Sequence, residues 1–109
     1  MELPRQPAVA ELELAEVLHA LSDPVRLKIV AQVGREGEVA CGAFALEAPK
    51  SSLSHHFRVL RESGVLSTRR DGKELLNSLR MDALNERFPG LMEAVLKATP
   101  EASSRAAVD

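Results

Sequence analysis

The fold of this 109-residue chain is decided by residues 49–64, which read PKSSLSHHFRVLRESG. At about 100° per residue, Leu53, Phe57 and Leu60 fall on one narrow stripe of a helix. Gly64 follows as the residue type that most often ends a helix. The spacing therefore predicts a helix that buries one thin apolar edge and turns the rest of its surface outward.

The outward face of this helix has no acid before Glu62. A helix that needs only solubility usually mixes acids and bases, whereas hydroxyls and cations are the groups that meet phosphates and base edges in a DNA groove. The pattern therefore favours a DNA-reading helix. The side chains expected to read base edges are Lys50, Ser51, Ser52 and His55, with Arg58 as a further candidate. Those expected to contact the DNA backbone are Ser54, His56, Arg61, Arg69, Arg70 and Lys73.

The adjacent histidines in this helix predict two different roles. His55 should point outward, and His56 should lie at the edge of the buried stripe, with one ring nitrogen reaching a phosphate or a backbone carbonyl. Neighbouring helical positions diverge by about 100°, so the two rings cannot bind one metal ion together.

Charge is distributed unevenly along the chain. The net charge is only −2, with 28% charged and 45% apolar residues. Residues 49–80 nevertheless contain seven bases and three acids, a net of +4, while residues 1–23 have a net of −4. A positive field confined to the segment with the polar helix is typical of a small DNA-binding protein.

Length and composition predict one domain, over residues 1–98, followed by a flexible tail at 99–109. No apolar run approaches the roughly 20 residues that span a bilayer, and the N-terminus lacks an apolar signal segment. We therefore expect a cytoplasmic protein without a membrane partner. The one cysteine, Cys41, cannot form an internal disulfide, and a redox role for its thiol stays open.

The first helix is predicted over residues 8–21, with apolar residues on two sides. One stripe, expected to face the core, holds Ala10, Leu14, Val17, Leu18 and Leu21. A helix that is apolar on two sides usually has two partners, so the second stripe predicts a surface for another subunit. The residues assigned to that dimer interface are Ala8, Leu12, Ala15 and His19, together with Leu91 and Val95.

Four further elements flank the polar helix. Asp23-Pro24 predicts the start of a helix that runs to about Val33, and a short third helix is expected at residues 40–46. Asp71-Gly72 predicts the turn of a β-hairpin between strands 65–70 and 73–80. Pro89-Gly90 predicts a short turn, followed by a last helix that starts near Pro89. The fold class is thus mostly α, a winged helix-turn-helix with about five helices and a two-stranded wing.

With these residues in this order, the chain resembles the ArsR family of winged helix-turn-helix repressors. Two motifs carry the resemblance, ALSDPVRLKIV at 20–30 and KSSLSHHFRVLRESGVL at 50–66, and it covers residues 14–80. It implies a homodimer, a helix at 51–63 in the major groove of double-stranded DNA, and a wing tip at 69–73 on the DNA backbone. It also implies repression that a ligand relieves, in many relatives a thiophilic or transition metal.

The residues depart from the metal-binding members of that family. The family's best-known site uses a Cys-x-Cys pair, and the matching positions here are Ala40 and Gly42, with Cys41 between them. A second known site uses Asp and His on the last helix, yet residues 81–109 contain no histidine. One thiol without a nearby imidazole cannot fill a soft-metal site. We expect no metal and no cofactor, and a different effector or none.

The sequence also bears on two other classes of function, an enzyme and a protein-binding module. An enzyme is not expected, because the sequence offers no catalytic triad spacing and no glycine-rich phosphate loop. A winged helix that binds another protein instead of DNA stays open, and it would show no salt-dependent affinity for DNA. The principal prediction is a sequence-specific, homodimeric transcription regulator on a near-palindromic operator.

Overall fold

The computed structural model describes residues 6–44, 46 and 48–99. It confirms a mostly helical winged helix-turn-helix fold. The sheet has three strands instead of the two expected. The α-helices are α1 (Leu14–Ala20), α2 (Pro24–Glu36), α3 (Lys50–Ser63), α4 (Met81–Arg87) and α5 (Leu91–Ala98), and the strands are β1 (Glu38–Ala40), β2 (Leu66–Asp71) and β3 (Glu74–Leu79).

The N-terminal region does not form the single helix predicted over 8–21. A 3-10 turn at Val9–Glu11 is separated from α1 by extended backbone at Leu12 and Glu13. This break turns the side chain of Leu12 into the core, where it is 1% exposed, and leaves Leu14 and Leu18 each 47% exposed. Our assignment of Leu12 to the dimer interface was therefore wrong.

The same break reverses part of the predicted core stripe. Val17 and Leu21 are buried as expected, but Ala10, Leu14 and Leu18 lie on the surface. The predicted core stripe is therefore divided, with Val17 and Leu21 inward and Leu14 and Leu18 outward.

Helix α2 begins where the sequence predicted and ends about one turn later than predicted. The Asp23 carboxylate accepts hydrogen bonds from the backbone N–H groups of Val25 (2.9 Å) and Arg26 (3.1 Å), and Pro24 fills the first helical position. The inner face of the helix buries Ile29, Val30 and Val33.

The predicted third helix at 40–46 is replaced by β1 and a short 3-10 turn at Cys41–Ala43. The strand pairs antiparallel with β3, with Val39 opposite Asn77, and β3 pairs antiparallel with β2 through the predicted hairpin. The sheet order is β1-β3-β2, so the wing has a third strand at its base.

A buried polar network holds these three strands together. Asn77 has no exposed surface. Its amide oxygen accepts from the Thr68 hydroxyl at 2.7 Å, and its amide nitrogen donates to the Val39 carbonyl at 3.2 Å. Because each polar group finds a partner, the base of the wing is fixed to the protein body.

Helix α3 ends at Gly64, which has a left-handed φ of 90°. A Cβ at this position would collide with the side chain of Leu12. The glycine therefore serves both as helix cap and as the point where the N-terminal segment crosses the end of α3.

The C-terminal part contains two helices, α4 and α5, separated by a turn at Phe88–Gly90. Leu84 and Met92 are fully buried and close the core. Thr99, which we had placed in a flexible tail, is 6% exposed, and its hydroxyl donates to the Val95 carbonyl at 2.7 Å. The remainder of that tail, 100–109, lies outside the described residues. In the described ranges, no helix has the length and apolar character needed to cross a bilayer.

Candidate nucleic-acid interface

Helix α3 presents the outward face that its sequence predicts. Phe57 is 6% exposed and Leu60 is fully buried, while Leu53 is half-buried against the same core. The ring of Phe57 packs edge-on against Phe44 at 5.2 Å between centroids. The exposed positions of the helix include Lys50, Ser51, Ser54, His55 and Arg58, and Ser52 is half-buried.

The face carries two cations, Lys50 and Arg58. Within the described part of the chain, neither Lys50 nor Arg58 forms an ion pair. A cation without a protein partner keeps its full charge available to a phosphate or to a guanine edge. The face combines these charges with serine hydroxyls, and this set of groups suits a DNA groove.

His56 lies inward, as predicted, but its partner differs from the one predicted. Its side chain is 13% exposed, and its Nδ1 lies 3.1 Å from a guanidinium nitrogen of Arg26 and 3.8 Å from the Asp23 carboxylate. This nitrogen therefore meets a buried side chain of α2 instead of a backbone carbonyl.

Arg61 is less available than its position in the sequence suggested. Its side chain is half-buried, and its Nε is enclosed without a hydrogen-bond partner among the described residues. Burial lowers the pKa of the Arg61 guanidinium, an effect that Cys41 opposes and Arg58 reinforces. Only the outer part of this side chain can contact a phosphate, and on that basis Arg61 remains a candidate for contact with the DNA backbone.

The wing carries three basic side chains, Arg69, Arg70 and Lys73. Arg69 forms a two-pronged ion pair with Glu38 of β1, at 2.9 and 3.0 Å. The hydrogen bond from Arg69 lowers the pKa of the Glu38 carboxyl. Arg70 and Lys73 are exposed at the wing tip. The phosphate contact predicted for Arg69 would require this exposed pair to open or to share its cation.

Sequence reasoning found only part of the apolar surface on α1, because it placed Leu14 and Leu18 in the core. Leu14 and Leu18 are the exposed large apolar side chains of the described chain, and Ala15 and His19 beside them are also exposed. Ala8 is exposed as well, while Leu91 and Val95 of α5 are half-buried. No proline or glycine in the sequence marks the extended backbone at Leu12 and Glu13, which separates the 3-10 turn from α1.

Cys41 takes part in the wing network. The amide nitrogen of Asn77 lies 3.2 Å from its Sγ. Across the described ranges, no cluster of three or more His, Cys, Asp or Glu side chains has a geometry that could hold a metal ion.

A family model described as a helix-turn-helix domain matches residues 21–69. The chain is 36% identical over 84 residues to the HTH-type transcriptional regulator YceK of Bacillus subtilis, and this match covers 74% of the chain and 84% of YceK. The chain belongs to the ArsR family of winged helix-turn-helix transcriptional regulators. Members of this family are DNA-binding regulators and not enzymes, as the sequence predicted.

Other relatives and solved structures agree with this membership. The transcriptional repressor SdpR of Bacillus subtilis is 30% identical, and the match covers 74% of this ArsR-family chain and 91% of SdpR. An SmtB repressor homolog of Synechocystis is 34% identical, with 68% of the chain and only 60% of that relative covered. The crystal structure of the repressor BigR from Xylella fastidiosa is 34% identical with a TM-score of 0.57, over 77% of this chain and 83% of BigR.

Proposed function

We propose that this ArsR-family regulator works as a homodimeric repressor that binds a near-palindromic operator. In this proposal α3 of each subunit enters the major groove of one half-site, and the wing tip follows the backbone beside it. The relatives SdpR and BigR are both transcriptional repressors. We also propose that the protein acts in the cytoplasm.

One observation carries the proposal. The side of α3 that faces away from the core is exposed from Lys50 to Arg58. It offers hydroxyls, an imidazole and two cations that have no ion-pair partner among the described residues. Base edges in the major groove present acceptors and donors that such side chains can read at short range. We assign base reading to Lys50, Ser51, Ser52 and His55, with Arg58 as a further candidate. We assign backbone contact to Ser54, His56, Arg61, Arg69, Arg70 and Lys73.

The dimer is supported by the exposed face of α1. Leu14 and Leu18 stand one turn apart and are each 47% exposed, next to Ala15 and His19. Two recognition helices related by a two-fold axis read two half-sites, which raises specific binding well above the non-specific affinity of one helix. We therefore place the subunit contact on this face, extended by Ala8 and by Leu91 and Val95 of α5.

In vitro selection from random duplexes tests this function. The expected product is a two-fold symmetric sequence whose half-sites lie about one helical turn apart. Ser51→Ala and His55→Ala should change the selected bases, since both side chains are assigned to base edges. A protein that enriches no sequence and shows no salt-dependent affinity would be a winged helix that binds another protein.

A further inference from the structure

A buried arginine joins α2 to the end of α1. Arg26 is 6% exposed. Its Nε donates to the carbonyl of Ala20 at 2.7 Å, and one of its terminal nitrogens donates to the carbonyl of His19 at 3.2 Å. These carbonyls belong to the last turn of α1, where they have no partner within the helix. The carbonyl of His19 also accepts from the backbone N–H and the hydroxyl of Ser22, at 3.1 and 2.7 Å. The cation therefore satisfies the Ala20 carbonyl, shares the His19 carbonyl, and joins α2 to the C-terminal end of α1.

The same guanidinium reaches α3. Its other terminal nitrogen lies 3.1 Å from Nδ1 of His56. An arginine can only donate hydrogen bonds, so Nδ1 must be the accepting nitrogen. The proton of the neutral ring is then on Nε2. Arg26 thus fixes the tautomer of His56 as well as the position of its ring.

The nearest acid does not compete for this nitrogen. The Asp23 carboxylate lies 3.8 Å from Nδ1 of His56, which is too long for a hydrogen bond. That carboxylate already accepts from the backbone N–H groups of Val25 and Arg26 at the start of α2. The hydrogen bond between Arg26 and His56 is therefore the short polar link from this cluster to α3.

We propose that Arg26 is a positioning residue for operator recognition, which sets the angle between α1 and α3 through the accepting Nδ1 of His56. This inference rests on the proposed homodimer, in which α1 forms the subunit contact. With α1 at the two-fold axis, the angle between α1 and α3 determines how far apart the two recognition helices stand. Arg26 should therefore control the selectivity for half-site spacing, although it touches no DNA itself.

The readout is the ratio of two affinities, for the selected operator and for the same operator with one base pair inserted between the half-sites. A general loss of stability lowers both affinities and leaves this ratio unchanged. Arg26→Gln and His56→Ala remove the link. His56→Asn keeps a side-chain oxygen near the place of Nδ1, which can still accept from Arg26. His55→Ala, at an adjacent exposed position, is the matched control.

The wild-type protein should prefer the selected spacing. Arg26→Gln and His56→Ala should reduce this preference by about fivefold or more, in line with the loss of a hydrogen bond to a charged donor. His56→Asn should keep the preference within about twofold, since the acceptor is restored. His55→Ala should change affinity for both operators and leave their ratio as it is. Nitrogen-15 NMR of the free wild-type protein should show the proton of His56 on Nε2.

Two results would overturn the positioning role. One is a spacing preference that is the same in wild type, Arg26→Gln and His56→Ala. The other is a His56 ring with its proton on Nδ1. If Arg26→Gln does not fold, the His56 pair decides, and equal ratios for His56→Asn and His56→Ala refute the inference. A wild-type protein without any spacing preference would instead refute the homodimeric operator complex, and the inference with it.

Discussion

Replacing the two exposed leucines of α1 should separate the subunits without unfolding them. Leu14 and Leu18 are each 47% exposed in the single chain. Full burial of a leucine side chain is worth about 1.5–3 kcal/mol, so burying the exposed half of each contributes about 1 kcal/mol. A two-fold interface contains each residue twice. The four side chains together stabilise the dimer by about 4 kcal/mol, which is roughly a thousandfold in the dissociation constant.

Sedimentation equilibrium on the Leu14→Ser, Leu18→Ser double variant measures this effect. The dissociation constant of the dimer should rise by roughly three orders of magnitude, and operator affinity should fall with it. Glu16→Ser, on the same helix, is the control that should leave the dimer intact.

Leu12→Ala should instead destabilise each folded subunit and leave the subunit contact itself intact. Its side chain is 1% exposed, so its truncation should lower the free energy of unfolding by about 2–5 kcal/mol.

An unchanged dissociation constant in the Leu14/Leu18 variant would show that the subunit contact lies elsewhere and would refute this reasoning.

Three further predictions concern the cap of α2, the wing network and the wing tip. Asp23→Ala should lower the free energy of unfolding by about 1 kcal/mol in urea titrations, and Asp23→Asn by less, since asparagine also caps helices. Burial alone would raise the pKa of Asp23, but the backbone N–H groups of Arg26 and Val25 and the charge of Arg26 outweigh it, and the pKa is lowered from 3.8. The charged cap should therefore stabilise the fold fully above pH 3.8 and lose its effect as pH falls through the lower pKa of the folded state. If the free energies of unfolding of wild type and Asp23→Ala differ by the same amount at acidic and neutral pH, this explanation is wrong. Asn77→Leu should lower stability by about 2 kcal/mol in the same assay, because the Val39 carbonyl and the Thr68 hydroxyl lose their buried partner, and a neutral result would mean that water replaces it. Arg70→Ala should weaken binding to all duplexes and reduce the slope of log affinity against log salt by about one unit; an unchanged slope would remove Arg70 from the interface.

Helix α3 was the part most accessible to sequence reasoning. Phe57 and Leu60 define its buried edge by local spacing, and the polar residues opposite them need no tertiary information to be placed outward. The hairpin turn at Asp71-Gly72 and the cap at Asp23-Pro24 are local signals of the same kind.

Features set by distant contacts were not accessible in this way. The break at Leu12 and Glu13 contains no proline or glycine, and Leu12 is buried because it packs at Gly64, 52 positions further along the chain. The strand Glu38–Ala40 exists through its pairing with β3, and its three residues carry no period of their own. The link from Arg26 to His56 likewise joins side chains 30 positions apart.

We expect the exposed side of α3 to contact duplex DNA. Amide NMR titration of the protein with its selected operator maps this contact residue by residue. The largest shifts should fall at residues 50–61 of α3 and at 69–73 of the wing, and a duplex of unrelated sequence should move mainly the wing. Shifts confined to α1 and α5, with α3 unchanged, would contradict the account.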